Sequence, residues 1–476
     1  VSERRPFTPR PYQHLMHGWM LDHPRCAVWA GMGLGKSSAT LSAISTLQLV
    51  EPEPVLVIAP LRVARHTWPN EVKKWDAFRH LHVLPIVGSE AERRITLKYE
   101  SPIYSINFEN LPWLVELYGE RWPFRTVVVD EATRLKSLRL SFRTSKTGKQ
   151  FIAGQGSVRA RAFGGIAHTK VKRIIQLTGT PSPNGLADLW GQVWFLDAGA
   201  RLGRTYEAFR QRWFQKSFDG YSVDPLPYTQ TEIQDRLRDI CLSIDAADYF
   251  DLDEPIVNNV YVEMPAKARI KYREMERQMF AEIEGHEIEA FNAAARTQKL
   301  LQLANGAAYV GEPGDPGERQ WVEVHDAKLA ALESIVEEAN GMPVMVAYQF
   351  KSDRARIMRE FPKAVDLSTD EGFKTFMAGK SPLGLAHPKS MGHGIDGLQD
   401  VTNIIAFFSS NWNLEEDMQI IERIGPTRQH QSGHKRPVFV HRVMARDTVD
   451  ELVAARRETK REVQDILLEA MKARRT

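Results

Sequence analysis

The chain has 476 residues, of which 43% are hydrophobic and 26% charged, with a formal net charge of +3 at pH 7. That length allows roughly two to four domains with sizeable cores, and so small a net charge does not by itself point to a polyanionic partner. Its two cysteines, Cys26 and Cys241, exclude a disulfide framework and a cysteine-based zinc site. No apolar run reaches membrane-spanning length, and the opening VSERRPFTPR lacks the apolar centre of a signal peptide, so the expectation is a soluble, cytoplasmic protein with inert core thiols and no membrane partner.

In chain order, Cys26 to Ala30 reads as a short buried strand, and Ser37 to Val50 carries Leu41, Ile44 and Leu47 at helical spacing. Ala30 to Lys36 between them is then a strand-to-helix turn with the form of a phosphate-binding loop, AGMGLGKSS. Gly31, Gly33 and Gly35 allow the sharp turn that aims backbone N–H groups at phosphate oxygens, and the helix N-terminus adds its positive dipole end. Lys36 is expected to reach the β- and γ-phosphates, the Ser37 hydroxyl to ligate Mg²⁺, and Ser38 to join Gly33 and Gly35 in binding the nucleotide. A glycine-rich turn without a ligand is the plain alternative.

Val55 to Ala59, Thr126 to Val129 and Ile174 to Thr178 are further strand-like runs alternating with helical segments, as βα units of a parallel sheet do. Asp130 and Glu131 follow the β-branched run at 126–129, at the carboxyl end where open α/β sheets bind ligands. Asp130 is expected to hold magnesium through water, and Glu131 to orient and deprotonate an attacking water.

No acidic residue stands between Glu131 and Asp188, while basic residues recur from Arg134 to Arg173, so 134–173 reads as a basic loop or insertion. Solvated loop and phosphate-backbone contact are both open for it. Residues 200–250 read as helices and loops appended to a first domain spanning 1–250; the segment 251–259, with DLDEP, reads as a linker. From 260 to 476 a second α/β pattern follows, with a helix at Lys328 to Ala339, strands at Val344 to Tyr348, Leu383 to Ala386, Asn403 to Phe408 and Val438 to Val443, and a long amphipathic helix from Thr448 that suits bracing better than DNA contact. This half has no phosphate loop, which suggests ATP held between two similar lobes. Trp68, Trp75, Trp113, Trp122, Trp190 and Trp194 read as core residues rather than base-stacking ones, and His387, His393, His430 and His434 sit in loop settings that fix no metal geometry.

Several segments together resemble a known family. RPYQ at Arg10 to Gln13 is similar to an adenine-reading motif, GMGLGKS to the first helicase motif, and APLRVARHTWPNEVKKW at Ala59 to Trp75 to the next. DEATRLKS at Asp130 to Ser137 stands where the family has DEAH followed by RLK, and LTGTPSPN at Leu177 to Asn184 resembles motif III. VMVAYQFKSD at Val344 to Asp353, HPKSMGHGIDGLQ at His387 to Gln399 and QIIERIGPTRQHQ at Gln419 to Gln431 resemble motifs IV, V and VI. In this order they resemble superfamily 2 helicases of the Swi/Snf DNA-translocase type, in a compact phage and bacterial subset. Two departures stand out: Thr133 replaces the family's His, and Arg428 follows Arg423 at a wider spacing than the family's motif VI arginines.

The resemblance implies two RecA-like parallel-sheet lobes with helical insertions, ATP and Mg²⁺ as ligands, Arg10 and Gln13 at the adenine, and Arg428 as the arginine finger with Arg423 as alternate or partner. It implies contacts to duplex DNA near Arg62, Lys136, Thr180, Ser390 and His393. The expected activity is DNA-dependent ATP hydrolysis driving translocation along double-stranded DNA by a monomer, in phage or bacterial replication or recombination and with other proteins of those processes as further partners. The rival readings are a strand-separating or branch-migrating helicase, a non-hydrolysing DNA-binding scaffold, and the motor subunit of a defence complex.

Overall fold

A computed structural model describes residues 4–31, 33–144, 150–183, 185–216, 223–249, 252–281, 290–309, 320–391, 396–411 and 413–470. The chain divides into two compact units, residues 1–251 with 460–476, and residues 252–459.

The strands of the first unit, in chain order, are β1 (Arg25–Ala30), β2 (Val55–Ala59), β3 (Val83–Ile86), β4 (Ile103–Asn107), β5 (Thr126–Asp130), β6 (Arg139–Thr144), β7 (Gln150–Gln155), β8 (Arg173–Thr178), β9 (Phe214–Lys216), β10 (Val223–Pro225) and β11 (Cys241–Ile244). Seven of them form one parallel sheet in the order β11-β1-β8-β5-β2-β4-β3. Both faces are buried, which explains why these strands are continuous apolar runs rather than alternating ones. On one face Cys26, Val28, Val57 and Val128 pack against the helices α1 (Pro11–Asp22) and α2 (Lys36–Leu47) through Tyr12, Met16, Met20 and Leu41. On the other, Trp29, Leu56, Val127 and Ile174 meet Phe163, Trp190 and Phe195. Burial pushes the Cys26 thiol up to about 12 and Cys241 well above its ordinary value, so both are inert core residues.

The second unit has β12 (Ile256–Val262), β13 (Ala307–Tyr309), β14 (Trp321–Glu323), β15 (Val344–Ala347), β16 (Val365–Asp366), β17 (Leu383–Ala386), β18 (Ile404–Phe407) and β19 (Phe439–Ala445). Its parallel sheet runs β12-β19-β18-β15-β17-β16. Leu329, Leu332, Ile335 and Ile357 cover one face; Phe376, Leu398, Ile420 and Ile424 cover the other. Two such doubly covered parallel sheets are the α/β, RecA-like lobes the motifs imply.

Three segments differ from their sequence reading. The stretch 251–259 enters β12 at Ile256, an edge strand paired in parallel with β19. In the basic stretch 134–173, read as a loop or insertion, the described residues form the antiparallel hairpin β6–β7 and a helix, Val158–Ala167. Part of the stretch's positive charge is met by acids distant in sequence: Arg134 and Arg159 share Glu109, Lys136 pairs with Asp188, Lys170 with Glu120, and the buried Arg173 with Glu51. The appended region 200–250 contributes β11, the strand that closes one edge of the first sheet beside β1.

Candidate nucleotide-binding site

β1 and β5 flank β8 in the sheet, and all three run the same way, so the carboxyl ends of the three strands lie together. That brings the glycine turn after Ala30, the pair Asp130 and Glu131, and Thr178 to one rim of the sheet.

The turn is built on left-handed backbone: Gly33 has φ 81° and Gly35 φ 68°, and Gly35 is the residue from which α2 starts. A side chain at Gly35 would meet two obstacles, since a Cβ there would stand 2.3 Å from Gln13 Nε2 and 3.0 Å from Ser38 Oγ. Lys36 Nζ donates to the carbonyls of Ala30 at 2.6 Å and Gly31 at 3.0 Å, which holds the ammonium over the turn. Ser37 lies in the first turn of α2, and Ser38 Oγ donates back to Gly35 O at 2.9 Å.

Gln13 ties α1 to this turn. Its Oε1 accepts from the Arg10 backbone N–H at 2.8 Å, and its Nε2 donates to Ser38 Oγ at 3.1 Å. Arg10 precedes α1 as its capping residue, so Arg10 and Gln13 together fix the start of that helix against the phosphate loop.

Asp130 ends β5 with its Oδ2 accepting the indole N–H of Trp68 at 2.9 Å. Burial, with the neighbouring Glu131 charge, raises its carboxyl to about 6 against the opposing effects of the Trp68 hydrogen bond and Lys36. Glu131 stands at φ 71°, a conformation uncommon outside glycine, and its N–H bonds Leu177 O at 2.9 Å. Glu131 Oε1 accepts from two hydroxyls, Thr133 and Thr178, each at 3.2 Å. Thr178 Oγ1 in turn accepts the Thr180 N–H at 3.1 Å. Thr133, the residue found in place of the family's His, therefore bonds the adjacent carboxylate. The donor set suits a magnesium nucleotide: a cationic lysine, a helix N-terminus, and hydroxyl and carboxylate oxygens, the hard ligands that Mg²⁺ takes.

Of the remaining residues singled out in the sequence, Arg62 is exposed where β2 leads into a helical run, and Lys136 is 3.1 Å from Asp188. Thr180 is buried; Ser390 is exposed, with its hydroxyl bonded to His387 O at 2.9 Å. His393 lies outside the described residues. In the second unit Arg423 is buried and Arg428 is paired with Asp396. Sequence reasoning missed two residues that hold the acidic pair, Trp68 and Thr178. Both stand inside motifs already quoted, but their contacts depend on strand adjacency, which no local pattern displays.

The model of the SNF2-related domain matches residues 12–153. Protein p41 of Acyrthosiphon pisum secondary endosymbiont phage 1 is 51% identical over 98% of this chain and 99% of its own length. The mouse SWI/SNF-related matrix-associated actin-dependent regulator of chromatin subfamily A member 1 is 22% identical over 92% of this chain, which spans 41% of that protein. Among solved structures, the Sulfolobus solfataricus SWI2/SNF2 ATPase core in complex with dsDNA matches 99% of this chain and 95% of that one, at 21% identity and a TM-score of 0.43. With its motifs in family order and the glycine turn, Asp130 and Glu131 at one sheet rim, the chain belongs to the Swi/Snf-type ATPases of superfamily 2.

Proposed function

We propose that the chain is a magnesium-dependent ATPase that uses hydrolysis to translocate along double-stranded DNA. The observation that carries this reading is that the turn from β1 to Lys36 and the pair Asp130 and Glu131 at the end of β5 stand at one rim, on either side of β8. Lys36 and the N–H groups that open α2 bind the β- and γ-phosphates, and Gln13 and Arg10 flank the adenine. Ser37 and Asp130 hold the magnesium, which when bound neutralises charge on the phosphates. Glu131, oriented by Thr133 and Thr178, accepts the proton of the attacking water as its oxygen bonds to the γ-phosphorus and the bond to the bridging oxygen breaks. Arg428, with Arg423 as alternate, supplies the guanidinium that stabilises charge on the transferring group, a contribution worth ~10³ to 10⁵ in rate in other NTPases.

Arg62, Lys136, Ser390 and His393 contact the DNA backbone in this proposal, giving position without sequence specificity, whereas Thr180, expected among them, is buried and is left out of it. The phage relative supports a phage setting, and a part in DNA replication or recombination is the role proposed for the motor there. The hairpin β6–β7 favours a second reading, strand separation.

Two substrates separate these readings. A translocase strips a triplex-forming oligonucleotide from duplex DNA with ATP, loses that ability in Glu131→Gln, and leaves a tailed duplex paired. Unwinding of the tailed duplex in step with ATP turnover would establish the helicase, and ATP turnover without triplex displacement would remove translocation.

A further inference from the structure

Trp68 is fully buried, yet its indole N–H is spent on a carboxylate rather than on a backbone carbonyl. An indole nitrogen is a donor only, so it constrains its partner to present an acceptor. The bond reaches 62 positions along the sequence, to Asp130. The last torsion of an aspartate side chain is soft and broadly populated, so a fixed donor on Oδ2 determines where Oδ1 stands.

The backbone around Trp68 is built to hold that donor still. β2 runs into Pro60, and Val63–Thr67 then forms a π-helical turn that ends with the Trp68 N–H on Val63 O. Such turns are rare and shift the phase of the residues that follow them. The buried Ser105 of β4 bonds Ala64 O at 2.6 Å and pins this one to the sheet. The helix Trp68–Lys74 begins where the phase shift ends.

We propose that Trp68 is a positioning residue for the divalent cation: its N–H holds the Asp130 carboxylate in the orientation that receives the hydrated magnesium of the nucleotide. This rests on the nucleotide-site reading above. Partners that orient metal-binding carboxylates from behind commonly change metal affinity 10- to 100-fold when removed, whereas a purely space-filling indole would change nothing specific to the metal.

The test is a titration of a fluorescent ATP analogue onto wild type and Trp68→Phe across a series of Mg²⁺ concentrations, and in EDTA. The expected result is a half-saturating Mg²⁺ concentration raised about tenfold or more, with affinity in EDTA unchanged. A Mg²⁺ midpoint within about twofold of wild type, or an equal loss of affinity with and without Mg²⁺, overturns the proposal. Benzothienylalanine at position 68 keeps the ring shape without the N–H and decides by the same readout should Trp68→Phe not fold. Wild type that binds the analogue with no response to Mg²⁺ overturns the nucleotide-site reading itself, and this inference with it.

Discussion

In the first unit the carboxyl ends of β1, β8 and β5 carry a left-handed glycine turn, Asp130 and Glu131; in the second, the ends of β15, β18 and β19 close on Lys328, Asp353, Ser409 and Asp450, each at most 2% exposed. Lys328 Nζ reaches Asp450 Oδ2 at 2.7 Å and Asn305 Oδ1 at 2.8 Å. Asp353 Oδ2 accepts from Ser409 Oγ at 2.6 Å, Asn305 Nδ2 at 3.0 Å and the Phe350 N–H at 3.1 Å. The same kind of sheet thus ends in the proposed nucleotide site once and in an internal polar lock once. Buried charged residues gathered at the rim of a parallel sheet are therefore not by themselves a site. What separates the two is the left-handed glycine turn with backbone carbonyls on Lys36 that stands at the first rim, where Lys328 in the second meets only side chains and a carbonyl of its own unit.

Breaking the first of these ends gives the largest expected effect. Glu131→Gln should lower ATP turnover by ~10² to 10⁴ while nucleotide binding survives, measured by phosphate release alongside analogue binding. Retained turnover would remove Glu131 as the base. Breaking the second end should cost stability instead of chemistry. Lys328→Met leaves Asp450 buried without its ammonium partner, and removing one member of such a pair costs about 3–5 kcal/mol, read from urea unfolding. Analogue binding by the folded fraction should be unchanged, and a matching loss of affinity would contradict the separation of roles.

Gly35→Ala sharpens the account of the open end. The left-handed conformation costs an L-residue about 1–2 kcal/mol, and the added Cβ would also collide with Gln13 Nε2. Analogue affinity should fall roughly tenfold, and Gln13→Ala in the same chain should recover only the part due to collision.

A separate expectation is a pH dependence of the nucleotide-free protein. Asp130 is raised to about 6, chiefly by burial, against about 3.9 for an unfolded aspartate. Between these values the native state holds more proton than the unfolded one, so this group's contribution to stability falls as pH rises through the window and is level above it. Asp130→Asn should therefore melt progressively higher than wild type as pH goes from 4 to 7, and parallel melting curves would contradict the assignment.

Much of this was readable from residues alone because it is local. The strand β1, the glycine turn and α2 follow one another within Arg25–Leu47, and the apolar run before Asp130 announces a buried parallel strand. What escaped was long-range. β3, β4 and β11 are short strands whose membership depends on the sheet they join, and the seven-strand order skips along the chain at every step but one. The basic stretch looked unpartnered because Glu109, Glu120 and Glu51 lie outside it in sequence yet beside it in space. Thr178 meets Glu131 for the same reason: β5 and β8 are neighbours although a hairpin and a helix separate them in the chain.

The central claim is that the rim formed by β1, β8 and β5 turns over ATP in response to duplex DNA. Steady-state hydrolysis rates measured side by side with duplex DNA, single-stranded DNA, RNA and no polymer test it most directly. The account predicts the highest rate with duplex DNA and loss of that rate in Lys36→Ala; rates equal to those of Lys36→Ala under all four conditions would contradict it.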